Sequence, residues 1–170
     1  NDAATPAFAG LDSAAALRGA LGAVGFKGAK GTVQVVATPE GPIAVAGAGD
    51  LSTVDDALIE ATAASLYHGI KAAGFEAVSL DLRGLDAALA ARASFALSLA
   101  SYRFDRYFGT AKLEKAPTLK RITVVCDDVA AAETALVPLS SIARGILFAR
   151  DLVSEPANIL YPQSYADRVK

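Results

Sequence analysis

Two periodicities alternate along this chain, and the alternation restricts it to one class of fold. Runs rich in β-branched residues read as strands: Thr32-Val33-Gln34-Val35-Val36-Ala37, residues 43–46, residues 77–82 and residues 121–126. The turn Pro39-Glu40-Gly41-Pro42 joins the first two as a hairpin with a longer loop. Between the runs, apolar residues recur at helical spacing. A weak helix is expected over residues 13–24, with Ser13 as cap, Leu17 and Leu21 four apart, and Gly25, Gly28 and Gly31 breaking it. A stronger one is expected over residues 53–73, capped by Thr53 or Ser52. Ile59, Ala63, Leu66 and Ile70 form its buried stripe and Gly74 its stop. A third runs over residues 86–102, with Leu89, Ala93, Ala96, Leu97 and Ala100 on one face. After Asp127-Asp128 a short helix reaches about Leu136. Pro138, lacking an N–H, starts or kinks a longer one to about Val153, with Leu139, Ile142, Ala143, Ile146 and Val153 inward. A last helix begins at Pro162. The order strand–strand–helix–strand–helix–strand–helix predicts an α/β chain, a mixed sheet with helices on its faces.

The 170 residues suit one ordinary domain with a core of its own. With 53% hydrophobic and 20% charged residues, the composition is globular and not disordered. The net charge of -2 calls for no polyanionic partner. Cys126 has no second cysteine to pair with, which fits a reducing, cytoplasmic compartment. No apolar run reaches the roughly 18 residues of a membrane span, and no basic-then-apolar leader is visible. The start at Asn1-Asp2-Ala3 without methionine, and a final helix that stops in mid-pattern at Lys170, predict a trimmed or partial chain with another domain to follow.

Chemistry-bearing residues are few. One histidine, His68, and one cysteine, Cys126, cannot supply the ligand set of a metal site, so none is expected. His68 is expected at or near a helix surface and Cys126 as a buried strand thiol. A serine triad would have to use His68, and no Gly-x-Ser-x-Gly elbow is present. Asp127-Asp128 follows a strand, where α/β proteins place functional groups, but reads first as a helix cap and a solvated neighbour. Gly47-Ala48-Gly49-Asp50 resembles a phosphate-binding turn, yet Ser52 stands where a third glycine belongs. Between Arg103 and Arg121 six basic residues face two acids, with Tyr102, Phe104, Tyr107 and Phe108 beside them. Such a stretch could touch nucleic acid, but reads first as a solvated linker after an aromatic helix end.

Two segments carry a family resemblance. One is Tyr102-Arg103-Phe104-Asp105-Arg106-Tyr107, followed by a lysine-containing linker and a strand. The other is Ala149-Arg150-Asp151-Leu152-Val153-Ser154-Glu155-Pro156-Ala157-Asn158, followed by Ile159-Leu160-Tyr161-Pro162. In order and distance they resemble the leucyl (cytosol) aminopeptidase family; Gly25-Phe26-Lys27-Gly28 and residues 43–49 add to the likeness. Ser154 stands where the family usually has Asn, and Tyr161 where it has Thr. The family's first strand has no clear counterpart in residues 1–12.

The resemblance implies a three-layer, macro-domain-like α/β/α domain over residues 1–153. Residues 154–170 would then join it to a C-terminal catalytic domain. It implies that this domain holds no catalytic residue, no metal and no cofactor. Two divalent ions, zinc or manganese, would sit in the catalytic domain and activate water to release N-terminal amino acids from peptides. It further implies a homo-hexamer and, in some bacterial members, DNA binding. Arg150, Asp151, Glu155, Pro156 and Asn158 form the joining motif, with Pro156 and Pro162 stiffening an elbow. The alternative is a nucleotide- or ADP-ribose-binding module at residues 47–50.

Overall fold

The computed structural model describes residues 14–38, 41–71, 73–110, 116–117 and 119–170. Helix α1 (Ala14–Ala23) leads into a hairpin of β1 (Val33–Thr38) and β2 (Gly41–Ala46), paired antiparallel with Val36 opposite Ile43. A 3-10 turn (Leu51–Thr53) precedes α2 (Asp56–Ile70). Next come β3 (Ala77–Asp81), α3 (Ala87–Ala100), β4 (Arg121–Val125), α4 (Val129–Ser154) and α5 (Pro162–Val169). Strands β3 and β4 pair parallel, Ser79 beside Thr123. The sheet anticipated from the pattern is therefore seen as two ladders, one antiparallel and one parallel. The expected Ser13 cap, residues 39–40 of the turn and residues 1–12 lie outside the described residues.

Each end of α2 differs from expectation for a local reason. Asp55, not Thr53 or Ser52, caps it: its Oδ1 accepts the Leu58 N–H at 2.8 Å. A carboxylate is the stronger partner there because it also meets the positive end of the helix dipole. Thr53 is spent in the 3-10 turn, its hydroxyl donating to Asp50 O at 2.9 Å. The helix stops at Ile70 with Lys71 as C-cap, and Gly74 takes its positive φ of 82° only afterwards. The stripe between the ends is the expected one, Ile59, Ala63, Leu66 and Ile70, joined by Tyr67.

α4 is one helix of 26 residues, undivided at Pro138. Pro138 and Thr134 both lie on its exposed side, where water can satisfy the carbonyl that the proline leaves without a donor. The inward face is also rotated from expectation. Ala143 is buried and Leu139 and Ile146 are half-buried, but Ile142 is 53% and Val153 88% exposed.

The main core lies where α2 and α3 meet each other and the parallel strands: Ile59, Ala63, Tyr67, Leu82, Ala90, Ala93, Ala96 and Leu97, with Leu80, Ile122, Val124 and Cys126 packed against them. A second cluster sets Leu17 and Leu21 of α1 on Val36, with Phe26, Ile43 and Val45 around them. Val33, on the opposite face of β1 from Val36, abuts Gly69 of α2. A Cβ at Gly69 would stand 2.7 Å from Val33 Cγ1. The hairpin thus has a helix against each face.

Glycine contacts give a paired prediction. A Cβ at Gly47 would lie 2.2 Å from the backbone oxygen of Ala29, which no rotamer change relieves. One at Gly19, inside α1, meets nothing within 4 Å. Thermal unfolding of Gly47→Ala should show a loss of about 1–3 kcal/mol. Gly19→Ala should gain roughly 0.5–1 kcal/mol from helix propensity. Equal effects from both would contradict this packing.

Candidate functional site

The two sequence motifs, some fifty residues apart, meet in space. The end of α3 and the loop after it (residues 101–108) lie against the C-terminal turns of α4, and a buried carboxylate is the first of the groups that bind them together. The Glu155 side chain is 0% exposed. A carboxylate withdrawn from water must have its lone pairs satisfied. Oε2 accepts from Arg106 Nη1 at 2.7 Å and from Arg168 Nη1 at 2.8 Å, and Oε1 accepts from the Tyr107 hydroxyl. One guanidinium comes from before the motif and one from α5 after it.

The upper turns of α4 repeat the theme. Arg150 Nη1 donates to Leu99 O at 2.7 Å, one of the last carbonyls of α3, and its guanidinium lies 5.5 Å from the centre of the Tyr102 ring. The Tyr102 hydroxyl donates to Asp151 Oδ1 at 3.0 Å. The aromatics form a small platform of their own. Phe104 and Tyr107 meet edge-on at 5.8 Å, Arg106 lies over Phe104, and Arg103 lies over Phe108.

Of the five motif residues singled out in the sequence, Arg150, Asp151 and Glu155 thus converge on residues 99–107. Pro156 works through its carbonyl, which accepts the N–H groups of Ile159 and Leu160, both at 2.9 Å, and turns the chain into α5. Asn158 is exposed and stands outside the cluster. Sequence reasoning missed Tyr107, Arg106 and Arg168 as partners of Glu155. Arg106 and Tyr107 lay in the other motif, and only their proximity was hidden. Arg168 carried no signal beyond its place in the last turn of a helix.

Electrostatics follow the contacts. The hydrogen bond from Tyr107, then that from Arg168, and the charge of Arg106 hold the Glu155 carboxyl below its ordinary 4.5, against the opposing effect of burial. The same bond pushes the Tyr107 phenol up from 10.0, because it leaves a proton beside a carboxylate.

The remaining candidates are occupied locally. His68 is exposed, its Nδ1 3.2 Å from Lys71 Nζ. Cys126 is half-buried against the main core, not fully enclosed. Asp128 caps α4 by accepting the Ala131 N–H at 2.9 Å. Asp127 is more than a solvated neighbour: its Oδ2 accepts the Gly84 N–H at 2.7 Å and pins the turn after β3. In the glycine turn, the N–H groups of Gly47 and Gly49 donate to Thr32 O and Gly28 O, at 2.8 and 2.9 Å, so neither is aimed at an anion. In the basic stretch Arg103, Arg106 and Lys120 pair with Asp105, Glu155 and Glu76. Lys112 and Lys115 lie outside the described residues. Among the described residues no group of three or more His, Cys, Asp or Glu is placed to hold a metal ion, and no helix is long and apolar enough to cross a membrane.

Residues 1–108 match the profile of the cytosol aminopeptidase family, N-terminal domain. A probable cytosol aminopeptidase of Caulobacter vibrioides is 39% identical over 159 residues, which is 91% of this chain and 32% of that protein. The chain belongs to the cytosol aminopeptidase family. Another probable cytosol aminopeptidase, from Gluconobacter oxydans, is 40% identical over 96% of this chain and 34% of its own length. The chain spans about a third of the length of these relatives. Among solved structures, the bottromycin maturation enzyme BotP superposes with a TM-score of 0.72 at 25% identity, over 88% of this chain and 32% of that one. A mutant tomato leucine aminopeptidase does so with a TM-score of 0.74 at 20% identity, over 90% and 31%. The shared architecture is that of a mixed α/β N-terminal domain of an aminopeptidase.

The depressed Glu155 pKa fixes the sign of a pH effect. Its stabilisation is complete above the ordinary value of 4.5 and is lost as pH falls below that, through the folded-state value. In thermal melts, Glu155→Gln should lie below the unaltered chain at pH 7. The gap should narrow as pH drops from about 5 towards 3, because protonation does to the native carboxyl what the amide does permanently. A gap independent of pH would show that the charge of Glu155 contributes nothing.

Proposed function

We propose that this chain is the assembly and positioning domain of an aminopeptidase that releases N-terminal, Leu-like residues from peptides, and that it cleaves no peptide bond itself. The observation that carries this reading is the outer face of α4. A helix apolar on one side belongs on a surface, and one apolar all round belongs in an interior. α4 packs its inner side on α3, yet two further stripes stay open: Val137 and Phe148, 67% and 44% exposed, and Ile142 and Val153, 53% and 88% exposed. Such a face is suited to being covered by the catalytic domain that family membership implies. The tie between residues 99–107 and 150–155 would hold the helix at a fixed angle beneath it.

The same reading assigns residues 1–153 to the domain and residues 154–170 to the joint. It takes the architecture as three-layered and macro-like, a view supported by the helix on each face of the hairpin. It places the zinc or manganese pair in the catalytic domain, where the family resemblance puts it. A homo-hexamer and a cytoplasmic setting belong to the same proposal. Nucleotide or DNA binding is not favoured, since the glycine turn and Arg103, Arg106 and Lys120 of the basic stretch are already engaged.

Purified chain with added manganese or zinc should show no Leu-p-nitroanilide hydrolysis above buffer, and steady turnover would overturn the assignment. Val153→Ser should leave the melting of this chain within about 0.5 kcal/mol, as surface changes do. In the whole aminopeptidase the same change should lower stability or assembly, read by melting and sedimentation.

A further inference from the structure

Helix α5 has little of its own to hold it in place. It is eight residues long and buries no residue. Isolated helices shorter than about 12 residues are marginal in water, and most helical stability in proteins comes from burying an apolar face. Local capping helps its first turn: Ser164 Oγ accepts the Tyr161 N–H at 2.9 Å and donates to Ile159 O at 2.8 Å. Those bonds favour a helix over a coil at Pro162. They do not choose its direction relative to the rest of the domain.

A charged contact that reaches back into the domain comes from the last turn. Arg168 is 31% exposed and donates to a carboxylate with 0% exposure, which Arg106 and Tyr107 already hold in the loop after α3. We infer that Glu155 is the positioning residue that sets the direction of α5, an ionised clamp between residues 106–107 on one side and Arg168 on the other. The chemistry of the group demands the charge. A glutamine could keep its carbonyl oxygen on both guanidiniums and turn its NH2 to the Tyr107 hydroxyl, but two cations would then share a neutral acceptor and lose the charge that strengthens both bonds. Asp151, the other carboxylate near Arg106, already accepts from Tyr102. Asp167, beside Arg168, is turned to Gln163 and Lys170. Neither is placed to take over.

This goes beyond the aminopeptidase reading, because it is a property of these residues alone and its test uses no peptidase activity. A chain that proved catalytic would leave the clamp standing, and a failed clamp would leave the family assignment standing. The measurement is amide hydrogen exchange of the full chain at neutral pH, resolved by peptide. Arg168→Ala should accelerate exchange in residues 159–169 about tenfold, the effect of losing one charge-assisted hydrogen bond, with α2 and α3 unchanged. Arg168→Lys keeps the charge but not the fork and should restore part of the protection. Glu155→Gln should loosen residues 159–169 and 102–108 together. Unchanged exchange in 159–169 for Arg168→Ala would overturn the inference. So would acceleration of equal size in α2 and α3, or no rescue by lysine.

Discussion

The close approach of three helices sets the dimensions of everything else in this domain. α3 lies between α2 and α4, and its buried positions are mostly alanine: Ala90, Ala91, Ala93 and Ala96. Ala63 answers from α2 and Ala143 from α4. Small side chains let helix axes approach towards the short end of the usual 8–10 Å. The larger groups, Ile59, Tyr67, Phe95 and Leu97, then fill the rows between. A layer of this kind has little slack, since an added methylene must push a backbone and not merely a rotamer. The half-exposed bridges from Arg92 to Asp56 and Glu60 lie on its surface and add modestly to it.

That layer delivers the ends of α3 and α4 to the same place, and so makes the Glu155 cluster possible. Enclosing a carboxylate is costly unless both its oxygens are hydrogen-bonded. Two guanidiniums and a phenol meet them here, drawn from segments on both sides of it. The result is a polar joint at the edge of an apolar layer. Its geometry is specified by directional bonds where the rest of the domain is specified by volume. The uncovered side of α4 begins beside it, with the exposed Val153 two residues from Glu155.

Much of the fold was legible because it is written in local pattern. The β-branched runs named the four strands seen among the described residues to within two positions, and the stripe Ile59, Ala63, Leu66 and Ile70 fixed the phase of α2. The phase of α4 was not legible for the opposite reason. With apolar residues on every side, periodicity could not say whether Ile142 or Ala143 faced α3. Pro138 compounded the error, because its cost depends on whether water reaches Thr134, a tertiary fact. The joint was half legible. Its residues stood out as two motifs, but nothing local says that Arg106 and Glu155 touch across 49 positions. The cap of α2 turned on a choice between three neighbouring acceptors, which spacing alone does not make.

That separation of 49 positions also fixes an order of events. The cluster closes a long loop, and the entropy of closing it is recovered only once β4 and α4 have already formed and docked. Glu155 is therefore expected to lose its water only as α3 and α4 dock, when its partners are in place. On the way out the same logic runs backward. The last helix, which buries no residue, is the part expected to open while the alanine layer still holds.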